Sequence, residues 1–412
     1  MALLTRMFKR ALAALLMTPL LLAGAQAATF SVKRGLNMDI WVTWPAPSAW
    51  GDANVLFPYP EWRRFVKPAD LKALRQAGFD FVRIPLDPAP FISTTSARHL
   101  ERLYDEVSAT IDAATAAGLK VIVDLHTIPR GDDNPLGVEG VLGSEDSFVA
   151  YLDIVRRVSR VVAAKDPARV ALEVMNEPSG ECRDWQDRLV RLFAAARASA
   201  INATIILPGG CGGGAEGLAA VDPRDIVDDN VIWTFHSNQP FLLTQQGAQW
   251  AGDFIRYVTG LTYPPYAVGR DELEATLDTI RRRIRAEAPW SRRSGMLAYL
   301  DEQMAEIDTP EELSAAVEQP FATVAAWAKK HGIASGNILL GEFGMIRQEY
   351  QNPWVMPAAS RAAYVKDMIA HAEAHGYGWA IWGYGGAFGV VDTFDGVPAE
   401  PDVLDVVRAL KR

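Results

Sequence analysis

The chain has 412 residues, a formal net charge of −9 and 49% hydrophobic content. Such acidity makes nucleic acid and anionic lipid surfaces poor partners, and such apolar content argues against disorder. Two cysteines, Cys182 and Cys211, rule out a disulfide scaffold and a thiolate zinc cluster; a single bridge between them and two unrelated thiols both stay open.

The first 27 residues read as a secretory signal peptide. "MALLTRMFKR" carries Arg6, Lys9 and Arg10 with no acid, and "ALAALLMTPLLLAGA" is an apolar run too short for a comfortable membrane span. Ala25-Gln26-Ala27 supplies small residues at cleavage spacing. An uncleaved anchor is the alternative. The expectation is a secreted or periplasmic monomer, free of the membrane after cleavage, with residues 28–412 forming one domain.

Short apolar strands then alternate with longer helical patterns. "RGLNMDI" leads to "PADLKALRQAG", where Leu71, Leu74 and Arg75 share a face and Gly78 closes the helix. "FDFVRIPL" follows. The next helix places Leu100, Leu103, Tyr104, Val107 and Ile111 at helical spacing and ends at Gly118, before "LKVIVDLH". Two further helical patterns feed "RVALEVMNEP" and "ATIILPGG", and then come "NVIWTFHSNQP", "NILLGEFG" and "YGWAIWGYGG". Eight strands result, near 35–40, 80–86, 120–126, 170–176, 203–208, 231–236, 337–342 and 378–383. Eight strand–helix units with parallel pairing predict the α/β class and a single (β/α)8 TIM barrel.

One interval, from about 240 to 335, breaks the rhythm and is predicted to be an extended loop and helix insertion between strands six and seven. Its run Arg281-Arg282-Arg283 with Arg285 reads as a solvated helix face, because acids interleave on both sides. "GGCGGGAEG" at 209–217 lacks a phosphate-loop lysine and reads as a flexible loop.

Reactive groups in such a barrel project from the carboxyl ends of the strands. There the sequence places Arg83, Asp124, His126, Asn176, Glu177, His236, Glu342 and Trp382, where a buried sheet should be mostly apolar. Glu177 and Glu342, on strands four and seven, would face each other across the mouth. Glycoside hydrolysis needs such a pair, one carboxylic acid to protonate the leaving oxygen and one carboxylate to attack the sugar carbon or activate water. Arg83 is placed to keep one glutamate ionised, though it could equally pair with Asp87 or Asp124. Asn176 could donate to a sugar hydroxyl, and Trp382 offers a flat face for a pyranose. Asp124 reads as support beneath the site, and strand alternation points Glu173 outward. Trp41, Trp44, Trp50, Trp250 and Trp354 are loop tryptophans that could line a sugar cleft, with packing the alternative for each. Metal-assisted hydrolysis competes, but His99, His331, His371 and His375 fall in or beside helices, leaving only His126 and His236 at strand ends. Neither metal nor cofactor is expected.

Asn176-Glu177-Pro178 and Gly341-Glu342-Phe343-Gly344 resemble the signatures of glycoside hydrolase family 5, the cellulase-type family of retaining barrels. "RGLNM" at 34–38, "VRIPL" at 82–86, "DLH" at 124–126, "FHSNQPFLLTQQGAQW" at 235–250 and "WAIWGYGG" at 379–386 resemble further family segments in the same order. The resemblance implies Glu177 as general acid/base and Glu342 as nucleophile, with Arg83, His126, Asn176, His236 and Trp382 holding the sugar and the nucleophile. It implies a polysaccharide or oligosaccharide substrate, cleaved as by an endo-β-1,4-glucanase. A β-1,3-glucanase, a mannanase, a transglycosylase, or a carbohydrate-binding barrel without turnover are the alternatives. Where the family places a tyrosine two residues after the sixth-strand histidine, this chain has Asn238, a departure that bears on substrate choice or nucleophile tuning.

Overall fold

The computed structural model describes residues 29–39, 41–42, 66–127, 137–350, 352–391, 399 and 401–410. The predicted signal segment, Trp44 and Trp50 lie outside them.

Eight strands, β1 (Arg34–Asn37), β2 (Phe81–Leu86), β3 (Lys120–Leu125), β4 (Val170–Glu173), β5 (Ile205–Pro208), β6 (Val231–His236), β7 (Ile338–Phe343) and β8 (Gly378–Ile381), pair in parallel and in sequence order. β8 closes on β1, so the predicted barrel is the observed one. Closure leaves no sheet edge unpaired, and strands buried on both faces explain the unbroken apolar runs of the sequence.

Alternation along each strand splits its side chains into two sets. Val82, Val121, Leu172, Leu207, Trp233, Leu340 and Trp379 belong to the large core between sheet and helices. Phe81, Ile122, Ala171, Ile206, Ile232, Leu339 and Ala380 point inward and, with Phe30, plug the amino end of the barrel. A side chain at Gly35 would enter the Phe81 ring, so β1 contributes only backbone to this layer. Two residues further along the strands the inward positions are Asn37, Arg83, Asp124, Glu173, Pro208, Thr234, Gly341 and Trp382. An apolar plug beneath a polar layer is the architecture on which the site stands.

That periodicity corrects the expectation for Glu173. Counting from Ala171 it faces inward, and it is fully buried. β4 ends at Glu173, earlier than predicted, and the chain bends at Asn176 and Glu177. Arg83 likewise sits in mid-strand, not at the end of β2.

The interval between β6 and β7 holds three long helices, Arg270–Glu287, Arg293–Ala305 and Pro310–His331. The arginine run lies on the first of them. Arg281 pairs with Glu274, Asp278 and Asp301, while Arg283 donates to the Tyr257 carbonyl and the Thr259 hydroxyl. This is helix-face chemistry, as predicted. His99, His331, His371 and His375 are all helical.

Cys182 and Cys211 form a disulfide with Cα atoms 4.8 Å apart. The glycine run around Cys211 is not the flexible loop expected. It forms a tight turn at Cys211–Gly213 and a short helix at Ala215–Ala219, with Gly209, Gly210 and Gly213 buried. Glycine content here reflects close backbone approach, since a Cβ at Gly217 would lie 1.9 Å from the Gly210 carbonyl oxygen. Among the described residues no helix is long and apolar enough to cross a membrane.

Candidate active site

Arg83 organises the polar layer. Its Nε donates to Glu173 at 2.7 Å, and Nη2 reaches the other Glu173 oxygen at 2.9 Å, Asn176 Oδ1 at 2.9 Å and Asp124 at 2.9 Å. Nη1 donates to Asn37 Oδ1 at 2.9 Å and to Glu342 Oε1 at 2.6 Å. A buried guanidinium is tolerable only with its planar fork of donors used, and here all three nitrogens are engaged. The neighbouring carboxylates hold Arg83 protonated, well above an ordinary arginine, against the opposing effect of burial.

Glu342 enters this array through an irregularity in β7. The β6–β7 register shifts between Phe235 and His236, and the β7–β8 register shifts between Leu340 and Phe343. A bulge re-aims side chains, which brings Glu342 onto the arginine while Phe343 keeps its place in the core. Asn37 secures the same strand ends by donating to the carbonyls of Gly341 (3.0 Å) and Ile381 (3.3 Å). Gly341 permits the close approach of β6, because a Cβ there would sit 2.5 Å from Thr234 Oγ1 and 2.9 Å from His236 Nε2. Gly341→Ala should therefore overpack the layer at a cost of about 1–3 kcal/mol and lower kcat by displacing His236. Thermal unfolding and steady-state rates check this; unchanged values for both would contradict it.

Glu177 stands opposite. It follows the β4 bend with a left-handed backbone, φ 36°, uncommon for a residue with a Cβ. Its side chain is 40% exposed, open to the cleft, and Oε1 lies 2.8 Å from His236 Nδ1. His236 is itself buried, and the same nitrogen is 3.8 Å from Glu342 Oε2. Glu177, His236 and Glu342 offer acceptor or donor atoms all within 4.8 Å of one another. The two glutamates thus converge, an oxygen of each lying within 4.8 Å of the other, the close approach that a retaining pair needs.

Electrostatics differ between the two. Burial raises both carboxyl pKa values above the ordinary glutamate value. Glu342 has the guanidinium in direct contact at 2.6 Å, which favours its anion; Glu177 faces an imidazole that burial pushes down to about 4 and that is neutral near pH 7. A proton shared by the two carboxyls therefore belongs on Glu177.

His126 takes its orientation from Asp124, whose Oδ2 lies 2.7 Å from Nδ1. Nε2 then faces the Asn176 amide at 3.3 Å, and the ring stacks on Trp382 with centroids 5.4 Å apart and planes 16° from parallel. Asp124 is the predicted support, its carboxyl raised by burial to about 7 despite Arg83. Trp382 is only partly buried, so part of its indole remains open for a sugar ring.

Every predicted site residue, Arg83, His126, Asn176, Glu177, His236, Glu342 and Trp382, joins this one cluster. Three members lie beyond the predicted set. Glu173 and Asn37 are the carboxylate and amide that complete the arginine's shell. Asp39, just past β1, accepts from the Gly385 amide at 2.9 Å, and burial raises its carboxyl to about 7 with Glu342 adding to the effect. Its sequence signal was an acid inside the first predicted strand, "RGLNMDI". Of the loop tryptophans, Trp41 is core, Trp354 packs against the core, and Trp250 is exposed beside Tyr350, ring centroids 6.2 Å apart. At Asn238 the backbone carbonyl accepts the Thr244 hydroxyl at 2.6 Å, and the anchoring hydrogen bond on Glu342 comes from Arg83.

Asp124, His126 and Glu342 form a second group with atoms close enough to hold a cation. Both groups share Glu342, whose Oε1 is already bound by Arg83, so a metal would meet a permanent positive charge within contact distance. The site carries its own cation.

A closed barrel with two convergent carboxylates, one ion-paired and one facing a neutral imidazole, is the equipment of acid-and-nucleophile glycoside cleavage. The family model described as "Cellulase (glycosyl hydrolase family 5)" matches residues 56–387, and the chain belongs to that family. Cellodextrinase A of Ruminococcus flavefaciens is 25% identical over 198 residues, covering 46% of this chain and 56% of the relative. A probable glucan 1,3-beta-glucosidase A of Emericella nidulans is 29% identical over 240 residues, covering 48% of this chain and 56% of the relative. The matches thus span little more than half the length of these curated relatives. Thermotoga maritima Cel5A, solved in complex with cellobiose, is similar over 91% of this chain and 97% of its own, with 20% identity and a TM-score of 0.63, a likeness of fold.

Proposed function

We propose that the chain is an exported, retaining β-glucanase that cleaves the O-glycosidic bonds of a β-1,4-linked glucan by double displacement. The observation that carries this reading is the convergence of Glu177 and Glu342 within 4.8 Å in opposed environments. In the first step Glu342 attacks the anomeric carbon, the bond to the leaving oxygen breaks, and the Glu177 proton passes to that oxygen. Arg83 occupies Oε1 of Glu342, which leaves Oε2 for the sugar. Forming the ester removes the Glu342 charge, so Glu177 ionises more readily and becomes the base for the water of the second step. That water's oxygen bonds to the anomeric carbon, its proton goes to Glu177, and the ester bond to Glu342 breaks. Asn176 and His126 meet the sugar hydroxyls, and Trp382 carries the ring.

The names of relatives, a cellodextrinase and a probable glucan 1,3-beta-glucosidase, support a β-glucan substrate and make the β-1,3 linkage the second reading. Reducing-sugar release from carboxymethyl-cellulose, a β-1,3-glucan, a mixed-linkage glucan and a mannan separates them. Release from the β-1,4 polymer is expected. Products longer than the substrate would instead identify a transglycosylase, and binding without release a barrel that has lost turnover.

The same roles fix the pH profile. Glu342 works as the anion, so activity falls as pH drops through its pKa; Glu177 works protonated, so activity falls as pH rises through its own. Burial raises both, so the bell of kcat/KM should be centred above the ordinary carboxylate range of about 4.3. A profile centred below that range would contradict the assignment.

A further inference from the structure

The loop that carries Glu177 is fastened along its length to the glycine turn after β5. Glu177 abuts Gly213, where a Cβ would lie 3.3 Å from both Cα and Cγ of the glutamate. The Gly212 amide donates to the Pro178 carbonyl at 2.8 Å. Cys182 is bonded to Cys211, and Trp185 Nε1 donates to the Pro208 carbonyl at 2.9 Å. As one loop runs forward from 177 to 185, its partners run backward from 213 to 208. The seam then continues to the acid's own partner, because Gly214 forms an isolated parallel bridge with His236.

This arrangement bears on an observed backbone outlier. A left-handed conformation is unfavourable for a residue with a Cβ and persists only where its surroundings over-determine it. Glu177 holds that conformation, and Cys211, the anchor of the opposite turn, holds it too, at φ 41°. The segment between the fastened points, Ser179–Glu181, is partly or fully exposed and contains Gly180, so it offers little rigidity of its own. Glu342, by contrast, is anchored from β7 through Arg83 and meets the seam at its far end, at His236, whose Nδ1 lies 3.8 Å from Oε2.

We propose that the Cys182–Cys211 disulfide and Gly213 are positioning residues for the acid/base, holding Glu177 in its left-handed conformation with the carboxyl on the leaving oxygen. The inference rests on the acid/base role proposed for Glu177. Opening the seam lets Glu177 relax toward negative φ, which swings the acid out of line and leaves the nucleophile in place. The loss therefore depends on how much help the leaving group needs.

The test compares two aryl β-cellobiosides, one with a poor leaving group (phenol) and one with a good one (2,4-dinitrophenol), through kcat/KM, which reports the first chemical step. For Cys182→Ser/Cys211→Ser, kcat/KM on the phenyl glycoside should fall roughly 10–100-fold, the scale of a misplaced general acid, while the dinitrophenyl value stays within about twofold. Gly213→Ala, with the disulfide intact, should give the same signature and serves should the double variant not fold. An equal fall on both glycosides, or no fall on either, would overturn the proposal and leave the disulfide a stabilising link only. Glu177→Ala is the reference. Absence of leaving-group dependence in that variant would overturn the acid/base assignment itself, which separates the two failures.

Discussion

Replacing Glu342 with Ala should lower kcat on order of 10⁴-fold or more, and azide should restore part of the rate by forming the α-glycosyl azide. The small anion enters the space of the missing carboxylate and attacks the face that Glu342 would have attacked, so the sugar leaves with inverted configuration. Glu177→Ala should respond in the opposite sense. With an activated leaving group the glycosyl-enzyme still forms on Glu342, stalls for want of a base, and yields to azide as the β-glycosyl azide. The two variants thus produce opposite anomers. The basis is the asymmetry of the pair, since Glu342 touches a guanidinium at 2.6 Å and Glu177 a neutral imidazole at 2.8 Å. Product configuration by NMR reads the result, and exchanged anomers would exchange the roles.

The second large effect concerns Arg83. Arg83→Lys cannot supply the flat fork that meets both Glu173 oxygens while also reaching Asn37, Asn176 and Glu342. Buried acceptors are left unpaired, a change that costs about 3–5 kcal/mol where a buried ion pair is broken. Denaturant unfolding measures that loss. The nucleophile changes too. Moving the cation away from Glu342 favours its neutral form and raises its pKa further, so the acid limb of kcat/KM should move to higher pH. A limb that stays, or moves lower, would contradict the view that Arg83 keeps Glu342 ionised.

Most of the barrel could be read because a closed parallel sheet repeats one unit eight times, and each unit combines an apolar strand with a helix. The convergent carboxylate pair was legible for a related reason: charge at the end of a buried strand is costly unless it has a use. What escaped were places where local geometry departs from the strand. Glu173 escaped because its face has to be counted from the inward Ala171, and β4 ends at Glu173, before the residues at the mouth. Arg83 was read as a strand end although it lies two residues above the plug at Phe81, and its long side chain covers the remaining distance to the mouth. Asp39 was passed over because it fell inside the predicted first strand, near 35–40, whereas β1 ends at Asn37 and Asp39 packs against Gly383. The glycine run resembled a loose loop because composition reports conformational freedom and not backbone contact. Trp41 entered the core for the opposite reason, since a loop position says nothing of which way an indole turns.

The most direct test is to trap the covalent intermediate. A 2-deoxy-2-fluoro-β-cellobioside with a dinitrophenyl leaving group should inactivate the protein by esterifying one side chain, and peptide mass spectrometry locates the label. The label is predicted on Glu342. Its appearance on Glu177, Glu173 or Asp39 instead would contradict the account.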